Sequence, residues 1–280
     1  IREKTNIIQY MEKIGRLDYV LARCMLIKRY DMKRPVVGGE TIECEDAAYI
    51  PLQAECEKMN LPYRPLNIDL KKKINILRGS NMGGKTVVLK TIAFCQLLVQ
   101  TGFYVRAERY SCPVFDSIRF TGEYADSGMS GLSSFGLEMW RLRELIEKQK
   151  GKVLVFIDEF ARTTNSDEAR ALMSSLIEYF RDRTEYSALF STHIMDLPVS
   201  GGVDFFRMNG LDIERFRKHT GNIDTSTLKD HIRLINSYMD YTVVRDKETR
   251  KITDAVNIAE LLGVDRDIIE KAAEFFREDE

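Results

Sequence analysis

RGSNMGGKT, residues 78–86, sets three glycines, a lysine and a threonine within nine positions. Gly79, four intervening residues (Ser80, Asn81, Met82, Gly83) and then Gly84, Lys85 and Thr86 reproduce the spacing Gly-x-x-x-x-Gly-Lys-Ser/Thr of a phosphate-cradling loop. Such a loop wraps backbone N–H groups around an oxyanion, and glycine permits approaches that a Cβ forbids. The Lys85 ammonium would lie on the β and γ phosphates of a nucleotide, and the Thr86 hydroxyl would ligate Mg²⁺. A glycine-rich turn ahead of a helix could carry the same residues with no ligand, so the flanks decide. Residues 73–78, KINILR, alternate apolar and polar as a strand does, and TVVLKTIAFCQLLVQTG (86–102) predicts a buried helix closed by Gly102. The loop therefore lies between strand and helix, as the motif requires.

A second segment complements it. VLVFIDEF (153–160) runs five apolar residues into Asp158 and Glu159, the pattern of a buried parallel strand that presents its acids at the carboxyl end. An aspartate there can hold Mg²⁺ through water, and a neighbouring glutamate can orient or deprotonate an attacking water. Read alone, the two acids serve equally well as solvated turn residues; beside a phosphate loop the catalytic reading is favoured. SALFSTHIMDL (187–197) is another apolar strand, and His193 at its end could touch the γ phosphate or the attacking water. No metal-ligand spacing accompanies it, so on position alone the structural reading is favoured. SGMSGLSSFGLEM (127–139) opens a helix with Ser133 and Ser134 at its start, which suits either simple N-capping or a second phosphate contact.

Around these motifs the chain alternates strands and helices from 73 to 208: INIL, the helix after the loop, FYVRA, SIRF, a helix over 133–149, VLVFID, a helix over 166–182, SALFST and VDFFRM. That order predicts an α/β fold with a mostly parallel sheet covered by helices. Residues 1–34 carry apolar positions at helical spacing up to Pro35, as one long helix or two, with nine basic against four acidic side chains on what reads as a solvated face. Residues 36–68, punctuated by Gly38, Gly39, Pro51, Pro62 and Pro65, predict short strands and loops. In the tail, TVVRDKETRKIT (242–253) predicts a hairpin, followed by two short helices separated by Gly263.

The 280 residues are 44% hydrophobic, enough for a full core, and 42 basic against 43 acidic side chains leave a formal charge of -1. No global basic field advertises nucleic acid, so any DNA contact must be local. Five cysteines without a C-x-x-C pair predict reduced packing residues and a cytoplasmic setting, and no apolar run is long enough to cross a bilayer. The first residue is Ile1 rather than Met, which suggests a piece of a longer protein.

Taken together these segments resemble the ATPase domain of the MutS family, the mismatch-repair branch of the ABC-type P-loop ATPases. GSNMGGKT is similar to that family's GPNMGGKS, SGLSSFGLEM to SGRSTFMVEM, LVFIDEFARTTNS to LVLLDEIGRGTST, and LFSTHIMDL to LFATHYHEL, in the same order. GFYVRAE (102–108) resembles GSYVPAE, and residues 257–276 resemble C-terminal helices that pair two subunits. The resemblance implies ATP and Mg²⁺ as ligands, with Lys85 and Thr86 on phosphate and metal, Asp158 on the metal's water shell, Glu159 on the attacking water and His193 sensing the γ phosphate. It implies a homodimer with composite sites, in which Ser133 and Ser134 reach the partner's nucleotide, and it sets Tyr63, in YRPLNIDL, on adenine. It also implies three regions: a lever-like helical segment over 1–35, the ATPase domain over 36–215, and a hairpin and helical dimerisation region over 216–280. The pattern is broken where Ser80 replaces a proline, Leu132 a basic residue, and Ala161 and Thr163 glycines. The implied function is an ATPase cycle coupled to DNA in mismatch repair. The alternatives are a MutS-like ATPase that remodels a protein partner, such as a reactivator subunit of a cobalamin-dependent lysine aminomutase, or a nucleotide-binding regulator that hardly hydrolyses ATP.

Overall fold

A computed structural model describes residues 2–80, 82–122, 133–147, 150–199, 201–218, 228–246 and 254–278. The chain opens with a single helix, α1 (Arg2–Tyr30), which stops ahead of Pro35 where Asp31 takes left-handed backbone at φ 47°. Strands β1 (Val36–Val37) and β2 (Ile42–Ala47), helix α2 (Ile50–Met59), and strands β3 (Leu66–Leu70) and β4 (Ile74–Arg78) follow. Next come α3 (Lys85–Gln100), β5 (Arg109–Cys112), β6 (Ser117–Thr121), α4 (Ser134–Glu147), β7 (Val153–Asp158), α5 (Ser166–Arg181), β8 (Tyr186–Thr192) and β9 (Val203–Leu211). Helices α6 (Ile213–Lys218) and α7 (Leu228–Tyr238), strand β10 (Met239–Arg245), and helices α8 (Asp254–Leu261) and α9 (Arg266–Glu278) complete it.

The central sheet has the order β10-β9-β4-β8-β7-β6 and is parallel except for β10, which runs antiparallel to β9. Side chains alternate across a strand, so each strand of this sheet feeds two cores. On one face Leu77, Leu154, Phe156 and Leu189 pack against Val88, Leu89, Ile92 and Cys95 of α3. That helix is covered in turn by a second, four-stranded sheet of order β1-β5-β2-β3. On the other face Ile74, Ile76, Val153, Val155, Ile157 and Phe190 pack against Met173, Ile177 and Phe180 of α5. Helix α5 is started by Asn165, whose side chain accepts the Glu168 N–H at 2.9 Å, with Asp167 and Glu168 in its first turn.

Several elements differ from the sequence expectation. FYVRA forms no strand: Val105 makes one antiparallel bridge with Lys33, and the Arg106 carbonyl accepts from the Ala48 N–H, so no neighbour runs alongside to build a ladder. The stretch 36–68 contains α2, because Pro51 falls in the first helical turn, where its missing N–H costs nothing, and Asn60 closes the helix in left-handed backbone. Thr242–Arg245 is a strand, but it pairs with β9; residues 247–253, the rest of the expected hairpin, lie outside the described residues. Helices α6 and α7 were not among the elements expected. Among the described residues no helix is long and apolar enough to cross a membrane.

All five cysteines are free thiols; Cys44, Cys95 and Cys112 are buried, and Cys24 is exposed. Burial pushes the Cys95 thiol up to about 12 and the Cys112 thiol to about 11, which suits packing rather than reactivity.

A buried polar network fastens α3 to the second sheet. The Tyr110 hydroxyl donates to Gln96 Oε1 at 3.1 Å, and Gln96 Nε2 donates to the Pro113 carbonyl at 2.9 Å and to Gln100 Oε1 at 3.0 Å. Tyr110→Phe strands the Gln96 oxygen in a buried site and should cost about 1–3 kcal/mol of stability, read from urea unfolding.

Candidate functional site

The parallel register makes the carboxyl ends of three strands flush. Arg78 of β4 pairs with Thr192 of β8, and Asp158 of β7 pairs with Ser191 of β8. The glycine loop leaving β4 and the two acids leaving β7 therefore meet at one sheet edge, separated by a single strand. Gly84, the residue before α3, has φ 86°, and a Cβ there would approach a Tyr241 ring carbon at 3.1 Å. Both the backbone conformation and the space demand glycine.

Lys85, the first residue of α3, is only 3% exposed. Its Nζ donates to the Gly79 and Ser80 carbonyls, each at 2.8 Å, and lies 3.0 Å from Glu159 Oε1. The Thr86 hydroxyl donates to Asp158 Oδ2 at 2.7 Å. The Gly83 N–H closes the loop onto the Ser80 carbonyl at 3.0 Å. Unlike α5, α3 has neither a capping side chain nor an acid in its first turn. A lysine at the positive end of a helix needs a negative complement from outside the helix, and Glu159 supplies one.

The acids are themselves braced. Ser191, fully buried, donates from Oγ to Asp158 Oδ1 and accepts the Glu159 N–H at 3.1 Å. Glu159 and Ala161 both take positive φ, 50° and 61°. Glu138 of α4 accepts the Ala161 N–H at 3.0 Å; burial raises its carboxyl, while Ala161 and Arg162 oppose that rise. Arg162 also lies 3.7 Å from Glu159 Oε2.

The remaining expected residues are distributed around this cluster. His193 directly follows β8, is exposed, and forms no hydrogen bond with Lys85, Thr86, Asp158 or Glu159 among the described residues. Ser133 accepts the Gly136 N–H at 3.1 Å at the start of α4, as an N-cap does, and Ser134 beside it is exposed. Tyr63 is half-buried, and its hydroxyl accepts the Tyr49 N–H at 2.8 Å. With Met82, Lys85, Thr86, Tyr241 and Asn236 it lines a cavity of about 430 Å³. Asn81 and Leu132 lie outside the described residues.

Four residues escaped the sequence reading. Tyr241 donates to Asn236 Oδ1 at 2.7 Å and reaches the cavity because β10 joins the central sheet. Ser191 and Glu138 hold the acids and the turn after them. Gly122 follows β6, and a Cβ built on it would meet Asp158 Cβ at 2.9 Å. Only the β6–β7 register, Thr121 beside Ile157, reveals that proximity.

The comparisons with known proteins agree on one family. The model of MutS domain V matches residues 75–278. A DNA mismatch repair protein MutS of Streptococcus gordonii is 36% identical over 68% of this chain and 20% of its own length. One of Lactococcus lactis subsp. lactis is 24% identical over 92% of the chain and 29% of its own. An endonuclease MutS2 of Thermus thermophilus is 32% identical over 67% of the chain and 24% of its own. The chain thus spans less than a third of the length of these relatives.

Gly122→Ala tests the packing beneath Asp158. The added methyl must displace the Asp158 stem, so a loss of about 1–3 kcal/mol in urea unfolding is expected. An unchanged midpoint and slope would mean that the two strands do not approach as described.

Proposed function

This chain belongs to the MutS family, and from that premise we propose that it is the ATP-binding and ATP-hydrolysing module of a DNA mismatch repair protein, with an ABC-type P-loop fold. One observation carries the reading: the Lys85 ammonium, the Thr86 hydroxyl and the carboxylates of Asp158 and Glu159 converge at the carboxyl edge of a parallel sheet. Phosphoryl transfer asks a protein chiefly for such electrostatic positioning.

Each residue then has a task. The backbone of Gly79, Ser80, Asn81, Met82, Gly83 and Gly84 would cradle the phosphates, and Lys85 would exchange its carboxylate partner for phosphate oxygens. Thr86 and Asp158 are hard oxygen donors in mutual contact, a set that fits Mg²⁺. That ion, when bound, supplies neutralisation of phosphate charge. Glu159, released from Lys85, would orient the attacking water and accept its proton, and His193 would hydrogen-bond the γ phosphate from the end of β8. Tyr63 would stack on adenine in the cavity it lines. Ser133 and Ser134 would complete the partner's site in a homodimer. Ala161, at φ 61° where the family pattern has glycine, adds a strain of about 1–2 kcal/mol to the turn after the acids.

The regions fall at 1–35 as a lever, 36–215 as the ATPase domain and 216–280 as the dimerisation region, with β10 of that last region also an edge strand of the central sheet. DNA engagement belongs to the full-length protein, in the cytoplasm. The repair names of the relatives support this reading over remodelling of a protein partner.

Purified chain should hydrolyse ATP. Glu159→Gln should lower turnover about 10²-fold or more while nucleotide still binds, and Lys85→Ala should lose binding itself. Calorimetric titration with ADP and a steady-state phosphate assay separate the two effects, and wild-type turnover in Glu159→Gln would contradict the assignment. In the full-length protein, ATP-dependent retention on DNA should be lost in Glu159→Ala.

A further inference from the structure

The two acids are carried by a strand end and a turn, yet one side chain touches both. Asp158 is the last residue of β7, and Glu159 begins the turn beyond it with φ 50°, a conformation that L side chains rarely adopt. Ser191 lies beside Asp158 in the β7–β8 register and has no exposed surface. Its Oγ donates to Asp158 Oδ1 and accepts the Glu159 N–H at 3.1 Å, and the same N–H approaches the Ser191 carbonyl at 3.2 Å.

Chemistry fixes the direction of these bonds. A carboxylate only accepts and an amide N–H only donates, so a single atom bridging them must do both, as a hydroxyl can. The amide occupies a lone pair of Oγ, and the one hydroxyl proton goes to Asp158. With Oδ1 tied, Asp158 presents Oδ2 to Thr86 at 2.7 Å. With its N–H tied, Glu159 is held in left-handed backbone, from which its carboxylate meets Lys85 at 3.0 Å.

We propose that Ser191 is a positioning residue that sets Asp158 and Glu159 as one unit, the first for the metal and the second for water; this rests on the nucleotide-hydrolysis reading above. Outer partners of metal-binding groups typically contribute about 10–100-fold to metal affinity or activity.

The test uses Ser191→Ala, Ser191→Thr and Glu159→Gln in the whole chain. In Ser191→Ala, kcat for ATP should fall about 10–100-fold with KM changed less than about threefold. Mn²⁺ affinity of the ADP-bound protein, read by electron paramagnetic resonance, should weaken about tenfold or more. Ser191→Thr, which keeps the hydroxyl, should recover most of both losses. If Ser191→Ala keeps its kcat and Mn²⁺ affinity while Glu159→Gln stops turnover, the inference is overturned and the function stands. Equal losses in kcat, ADP affinity and Tm would mark a purely structural serine and also overturn it. If Glu159→Gln turns over like the parent, or the parent hydrolyses nothing, the function fails and takes the inference with it.

Discussion

A buried ammonium at the start of a helix is the constraint on which the rest of the site depends. Lys85 is almost wholly removed from water, and desolvating such a charge costs several kcal/mol unless it is paired and fully hydrogen-bonded. The helix dipole adds to the cost, since α3 presents its positive end there. Two loop carbonyls and Glu159 meet these demands together, and none of the three lies on α3. The lysine is thus stable only while β4, its loop and the turn after β7 stay in register. A group with several negative oxygens satisfies the same ammonium, which is why the arrangement suits phosphate.

That register is maintained by apolar packing on both faces of the sheet. Strand β7 is buried along its whole length, sending Leu154 and Phe156 toward α3 and Val153, Val155 and Ile157 toward α5. Strand β8 between β4 and β7 is buried almost as fully, so the strand that separates the loop from the acids is rigid. The far side of the loop is fastened by a second buried charge. Arg78, the last residue of β4, lies 3.6 Å from Asp246 and 4.1 Å from the centre of the Phe205 ring. Because Asp246 follows β10, the C-terminal region and the glycine loop share a support.

The parts legible in the sequence are those set by local pattern. KINILR declares its strand by alternation and VLVFID by an apolar run, and Lys85, Thr86, Asp158 and Glu159 declare themselves by spacing and by their place at strand ends. What escaped depends on pairing between distant segments. Gly122 and Ser191 matter because of which residue lies beside them in a neighbouring strand, and nothing local to either reveals it. Tyr241 reaches the cavity only because β10 adds to β9 instead of folding on its own hairpin partner. FYVRA failed for the converse reason, since a strand-like pattern found a partner for one residue alone. Helix α2 was hidden by Pro51, a residue that reads as a breaker unless the helix start is known.

The central claim is that Thr86 and Asp158 act on one metal–nucleotide complex. A double-mutant cycle with Thr86→Val and Asp158→Asn, read by calorimetric titration of ADP with Mg²⁺ and with chelator, tests it most directly. In Mg²⁺ the two changes should be non-additive by about 1 kcal/mol or more, and in chelator that coupling should vanish. Additive losses in Mg²⁺, or affinity indifferent to both substitutions, would contradict the claim.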